Sequence, residues 1–488
     1  MTAPVPDRWR TLAVLASTQF VLILDTAIVN VAAPSVGEDL SMSPAEVSWV
    51  ANAYLIAFGG LLLFGGKLAD HLGRRRVFLA GLVLLAGSSA LGSVAGAAGW
   101  LIAARALQGA AAALAAAAAL ALVLSIFPDG PERHRALGVF AAMAGAGGAV
   151  GTVLGGVLTD WFGWRSIFVL NVLAGLALIA ATVRVVPAAG ARRTGRGFDV
   201  AGAATITAAL ALSAYALVTA GQSGWRSSRA LVAGLVAAVL LLVFIAVERR
   251  SAQPLVSPSV LRRPAVRLAN LLSAAGQAVL FPMFFFVSVH LQAVGGHDPL
   301  GGGLGLLPLS LLVIAVAATA DRLLSNFGLR TVAVAGFALV AIGMAWLSRL
   351  SVDGGYVRDV LGPTLVIAVG LPLVSITTNI AATAEVPPEE TGFASGLINT
   401  SQQFGAVLGL AVMAAVVAAH EAPAVGSARA LSPAEAVALT DGVRAAFLLG
   451  AVVAVGAAAL SWALRVPPTD RAFATAAVPD GPQEGLKP

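Results

Sequence analysis

Residues 66–76 read GKLADHLGRRR, that is Gly66-Lys67-Leu68-Ala69-Asp70-His71-Leu72-Gly73-Arg74-Arg75-Arg76. A long apolar run lies on each side, 47–67 before it and 76–97 after it. Each run is long enough to cross a bilayer, so the basic stretch marks a loop on the side where positive charge collects. The glycine permits a tight turn, and Asp70 and the basic run are placed to pair across helix ends. The loop has an echo. Lys67, Gly73, Arg75 and Gly81 recur at the same spacing as Arg322, Gly328, Arg330 and Gly336, with Ser325 where Asp70 would repeat. Two six-helix halves related by an axis along the membrane normal produce such a parallel repeat.

The rest of the chain agrees with a membrane reading. Of its 488 residues 58% are hydrophobic and only 11% charged, with a mean hydropathy of +0.90; a soluble domain carries about 25% charged residues. Fourteen apolar runs are long enough to span: 11–33, 47–67, 76–97, 100–126, 135–159, 164–186, 199–221, 229–247, 265–291, 301–320, 329–348, 359–383, 391–418 and 442–464. They are Ala/Leu-rich rather than alternating, which argues against strands. With both ends on one face, 22 of the 30 Lys and Arg fall on that face and 7 on the other. The bias predicts cytoplasmic termini. The loop after span 12 holds Glu385, Glu389, Glu390 and no base, but acids weigh little in orientation. The first run is too long for the h-region of a signal peptide, about 7–15 residues, and reads as an uncleaved span.

The expected organisation is a tail over 1–10, a six-helix bundle over 11–186, linkers with spans 7 and 8 over 187–264, a second six-helix bundle over 265–464 and a Pro-rich tail over 465–488. The outer loop 419–441 is expected to hold a short helix, since Ser432 and Glu435 have capping-box spacing.

Several functions are excluded. Cysteine is absent, so there is no disulfide framework or thiolate metal site. The net charge of +6 comes from cytoplasmic loops rather than from a nucleic-acid surface. No GxxxxGK[ST] loop or GxSxG elbow occurs, and His71, His134, His290, His297 and His420 have no metal-ligand spacing. We expect no enzyme, no cofactor and no metal. Arg outnumbers Lys 28 to 2, a composition pointing to a high-GC bacterium and its cytoplasmic membrane.

Within the first run lies LILDTAIVNVAAP, Leu22–Pro34. Asp25 is the one acid of 24 placed well inside a run. A charge there costs at least about 2.5–3.5 kcal/mol, so by default it marks a site for a proton or ligand. Arg105, in Arg105-Ala106-Leu107-Gln108-Gly109, is the basic counterpart in span 4. Counted from the outer ends, the two lie within roughly 5 Å in depth, close enough to interact directly or through water. In span 5 Gly147, Gly151 and Gly155 form a smooth stripe that lets helices approach closely.

These segments together resemble the major facilitator superfamily, and within it the fourteen-span drug:proton antiporters. The 66–76 loop is similar to the superfamily's signature loop, with His71 where Arg is usual. Arg105–Gly109 resembles its fourth-helix motif. Gly138, Gly147, Gly151, Gly155 and Gly156 fit its antiporter motif, with Thr152 in place of Pro. Leu24–Pro34 resembles the first-helix motif. Trp164-Arg165 with Phe168 and Asn171, Leu291-Gln292, Gly305–Pro308 and Gly392–Gly396 look like further landmarks, although Leu173 replaces a usual Pro. The resemblance covers about 11–464.

It implies an all-α integral membrane protein of major facilitator fold: two six-helix bundles plus two extra central helices. It further implies proton-coupled efflux of a drug, antibiotic or secondary metabolite, by a monomer. Asp25 and Arg105 would couple protons; Gly66, Asp70, Gly73, Arg74 and Arg75 would form the gating loop; Gly147, Gly151, Gly155 and Gly156 would form the antiporter seam. Polar and aromatic residues in the spans of both halves give the candidate cavity: Gln19, Asn30, Asn52, Tyr54, Gln108, Gln277, Phe281, Asn399 and Gln403. With one embedded acid, the expected substrate leans neutral, zwitterionic or anionic. An importer on the same scaffold, or a membrane sensor without flux, is the alternative.

Overall fold

The computed structural model describes residues 8–42, 44–127, 131–187, 200–224, 226–250, 262–384, 386, 391–420 and 431–464. Fourteen long helices make up nearly all of them: α1 (Arg8–Asp39), α2 (Pro44–Leu72), α3 (Arg74–Ser93), α4 (Ala98–Ile126), α5 (Pro131–Phe162), α6 (Arg165–Val185), α7 (Val200–Ser223), α8 (Ser228–Arg250), α9 (Pro264–Ala293), α10 (Pro299–Ala317), α11 (Ala320–Leu347), α12 (Gly362–Thr383, after a π-turn over Val357–Leu361), α13 (Thr391–Ala418) and α14 (Pro433–Ser461). No strand occurs among the described residues. A bilayer offers no water to bare N–H and C=O groups, so an apolar run of this length closes its hydrogen bonds within itself as a helix. The molecule is a multi-pass membrane protein.

Most span limits shift by a few residues, and two starts move by nine. α11 begins at Ala320 because residues 320–327 form a helical piece of their own, broken from the span at Gly328 (φ 76°, ψ 159°). α14 begins at Pro433: Ser432 and Glu435 do form a capping box, but it opens the last span itself rather than a short helix in the preceding loop. Most of both linkers, Glu385, Glu389, Glu390 and the 465–488 tail lie outside the described residues.

The halves are built alike. α1 pairs with α5, α2 and α3 with α4, and α3 with α6; α9 pairs with α13, α10 and α11 with α12, and α11 with α14. The echo in the loops has a matching geometry. Gly73 and Gly328 both have positive φ, 100° and 76°. Arg75 donates to the Val183 carbonyl at the end of α6 (2.9 Å), and Arg330 to the Leu464 carbonyl just past α14 (3.0 Å). At the other end Arg165 donates to the Ala95 carbonyl (2.9 Å) and Arg444 to that of Leu350. Ala95 and Leu350 stand at the same sequence offset as Lys67 and Arg322.

The halves meet along α5–α10 and α2–α13. α7 packs on α2 and α13, so it covers the second seam, while α8 packs mainly on α7 and leaves Leu231, Val232, Leu235 and Leu242 exposed. At the end where α1 finishes, which we call the distal end, one apolar core runs through both halves, from Ile28 and Val36 to Met283 and Phe286. At the opposite end the cores part. Among the described residues the first half keeps its own, which takes in Ala406, Val407 and Ala411 of α13 and is packed by Phe281 and Phe404, and a small separate cluster holds Val266, Val386, Ala394 and Leu397. The molecule is sealed distally and divided at the end that holds Arg8 and Leu464.

Candidate functional site: a buried ion pair beside a central cavity

Asp25 of α1 and Arg105 of α4 form a salt bridge of 2.7 Å, with side chains 2% and 1% exposed. A buried pair is stable only where its remaining donors and acceptors are satisfied, and here neighbouring helices supply them. The second carboxylate oxygen of Asp25 accepts from Nδ2 of Asn171 on α6. Arg105 Nε donates to the Val50 carbonyl of α2 (3.1 Å), and Nη1 donates also to Oε1 of Gln108 (2.9 Å). Gln108 in turn donates to Ser89 Oγ on α3 (2.7 Å). The Tyr54 ring stacks on the guanidinium, its centroid 4.4 Å from Cζ. Five helices of the first half therefore converge on one charge pair. Gly109 allows this: a Cβ there would collide with the Tyr54 carbonyl, so only glycine lets α4 lie against α2 at that point.

The glycine stripe acts on the same helix. A Cβ at Gly147 would lie 2.5 Å from the Phe20 carbonyl oxygen, at Gly151 2.8 Å from Ala27 Cβ, and at Gly155 2.9 Å from Ile28 Cα. The stripe seats α5 on α1, on either side of Asp25. Gly156 departs from this pattern, because it faces α10 of the other half, near Gly303. Thr152 lies on that side too, its carbonyl against Gly303. Gly138 has no close neighbour.

In the 66–76 loop the turn is one residue, Gly73, between α2 and α3. Gly66 is inside α2 with open space around it, so neither a turn nor close packing requires it. Arg74 donates to the Ala121 carbonyl near the end of α4 (2.9 Å), as Arg75 does to α6. These cations sit near helix C-termini, part-buried on α4 and exposed on α6, where the helix dipole favours them. Both tie the loop to its own half. The side chain of Asp70 lies outside the described residues.

A cavity of about 290 Å³ opens between the halves. Gln19, Asn30, Tyr54, Gln277, Phe281 and Gln403 line it; Asn52, Gln108 and Asn399 do not. Gln108 is spent on Arg105 and Ser89. Asn52 is fully buried, and Asn399 is only partly buried without being part of the lining. The sequence reading missed Gln402, Thr26 and Thr152 in the lining, and Asn171 and Ser89 in the polar cluster. Asn171 had a visible signal, an amide inside an apolar run. Ser89 had none, because a lone helical serine usually bonds its own backbone, as Ser89 also does to Leu85. Among the described residues no group of three or more His, Asp or Glu is arranged to hold a metal.

Residues 15–410 match the Major Facilitator Superfamily. The chain is 38% identical to the cephamycin export protein of Amycolatopsis lactamdurans over 429 residues, 87% of each chain. It is 37% identical to the puromycin resistance protein of Streptomyces alboniger, over 94% of this chain and 92% of that one. The tetracenomycin C resistance and export protein of Streptomyces glaucescens is 31% identical, over 84% and 76%. Among solved structures, a bacterial homologue of the human lysosomal transporter Spinster superposes with a TM-score of 0.66 at 15% identity, covering 98% of this chain and 99% of that one. That last likeness concerns the fold alone.

Proposed function

Because the chain belongs to the major facilitator superfamily, we propose that it is an exporter, moving a small organic molecule of the antibiotic or secondary-metabolite kind out of a bacterial cell in exchange for protons. Similarity over most of its length to proteins named for cephamycin and tetracenomycin C export supports the direction and the cargo. The observation that carries proton coupling is the carboxylate of Asp25, buried in the membrane and held by Arg105 and Asn171 beside the cavity.

With both termini cytoplasmic, the distal end is the outer one, and the arrangement seen is closed to the outside. Ionised Asp25 then engages Arg105, and this state takes substrate from the inside. Passage to the outward-open state requires α1 and α5 to move against α9 and α10, since the outer seal lies between them. There a proton reaches Asp25, neutralises it and releases Arg105 to its remaining partners, Val50 and Gln108. Proton and substrate favour different states, and that difference is what drives exchange. The unit of transport is a monomer, because both halves of the cavity come from one chain.

The test is proton release from energised everted vesicles, read with a pH-sensitive dye while antibiotics are added one at a time. Release triggered by a compound, in wild type and not in Asp25→Asn, is the expected result. Accumulation of the compound against its gradient in right-side-out vesicles would instead make this an importer.

A further inference from the structure

The cavity is mainly apolar, with a few polar groups and no charged one. Among the described residues no Asp, Glu, Lys, Arg or His lines it. Its polar atoms are amides and hydroxyls, and its apolar wall includes the rings of Tyr54, Phe58, Phe281 and Phe284. The nearest charges found, Asp25 and Arg105, are bonded to each other, and the Tyr54 ring forms part of the cavity wall while also stacking on Arg105. A cation entering would meet no counter-ion, and the Tyr54 face already holds a guanidinium. An anion would meet no cation. Either would leave water uncompensated. Asn30 of α1, a lining residue 8% exposed, also holds an unpaired acceptor: its Oδ1 is turned into the protein and has no hydrogen-bond partner. Buried acceptors are nearly always paired, so turning this amide toward the cavity would let it meet a donor there.

We infer that the cavity takes its substrate as an uncharged, partly aromatic molecule that donates an N–H or O–H hydrogen bond to Asn30. The inference rests on the export reading and narrows its cargo. A titratable compound is carried in its neutral form, so each exchange for one proton moves net charge across the membrane.

Equilibrium binding to the purified full-length protein tests this without needing flux. The probes are N-benzylacetamide, neutral with an amide donor, and benzyltriethylammonium, a permanent aromatic cation. Wild type is expected to bind the neutral probe at least about tenfold more tightly. Asn30→Asp, measured above about pH 8 so that the new carboxylate is ionised, should reverse the order. Gln277→Glu places the acid on the opposite half and should favour the cation as well, which covers misfolding of the first variant. A cation that binds wild type as tightly as the amide overturns the inference. So does a failure of both acidic variants to strengthen cation binding. Neither result touches the export reading, which the vesicle assays test separately through compound-triggered proton release and the direction of accumulation.

Discussion

Arg105 is the residue at the centre of the first half's buried polar cluster. Removing Asp25 while keeping Arg105 leaves a buried charge with only neutral partners, which costs about 3–5 kcal/mol. Asp25→Ala should therefore lower the unfolding midpoint in detergent, and Arg105→Gln added to Asp25→Asn should recover much of the loss while leaving proton coupling absent. A double variant no more stable than Asp25→Ala would mean that the pair is not what holds the cluster. Tyr54 tests the partition between the two compartments. Tyr54→Phe keeps the stacked ring and should keep coupling, whereas Tyr54→Leu should admit water to the pair and lower the substrate-to-proton ratio. Equal ratios in both would remove Tyr54 from this role. Both charges were legible in the sequence, because ionisable groups in apolar runs are rare and expensive. The amide and hydroxyl partners were not separable from ordinary inter-helical hydrogen bonding. Polarity alone also could not say which of Asn30 and Asn52 faces the cavity.

At the level of helices, the glycine stripe fixes how α5 rides on the helix that carries Asp25. Gly151→Val puts new atoms against Ala27 and Leu24; overpacking of this kind costs about 1–3 kcal/mol. Transport should fall sharply even where the protein is still made. Gly66→Ala, by contrast, enters open space inside a helix and should leave transport unchanged and stability equal or higher by up to about 1 kcal/mol. A dead Gly66→Ala would show that the start of the loop meets a neighbour in another state. The number of helices and the basic loops were readable from hydropathy and charge. The two shifted helix starts were not, since a break at Gly328 and a cap at Ser432 are local backbone events inside or beside apolar sequence. Spacing picked out the stripe, but it could not tell that Gly156 belongs to a different contact from Gly147, Gly151 and Gly155.

Taken whole, the molecule is two similar halves with unequal duties. The first holds the buried ion pair. In the second, the corresponding close contact of α13 on α9, at Gly405 and Gly409 against Ala274 and Ala278, has no such pair beside it among the described residues. The distal seam joins α1 to α9, where Gln292 donates to the Val31 carbonyl at 3.0 Å. With no native cysteine in the chain, Val31→Cys with Gln292→Cys offers a clean gate lock. Oxidation to a disulfide in substrate-free protein should abolish export until a reductant cleaves it; undiminished export by the joined form would show that this seam need not open. The repeat was visible in four matched positions. The placement of α7 over the α2–α13 seam was not, because nothing in an apolar helix names its neighbour.

In the proposed exchange Asp25 carries the proton while the cavity beside it carries the substrate. The most direct measurement compares two modes in proteoliposomes, using any compound that triggers proton release from wild type. One mode is transport driven by an imposed pH gradient; the other is counterflow of labelled against unlabelled compound with no gradient. Asp25→Asn should lose the first and keep the second. Full gradient-driven transport by Asp25→Asn would contradict the account.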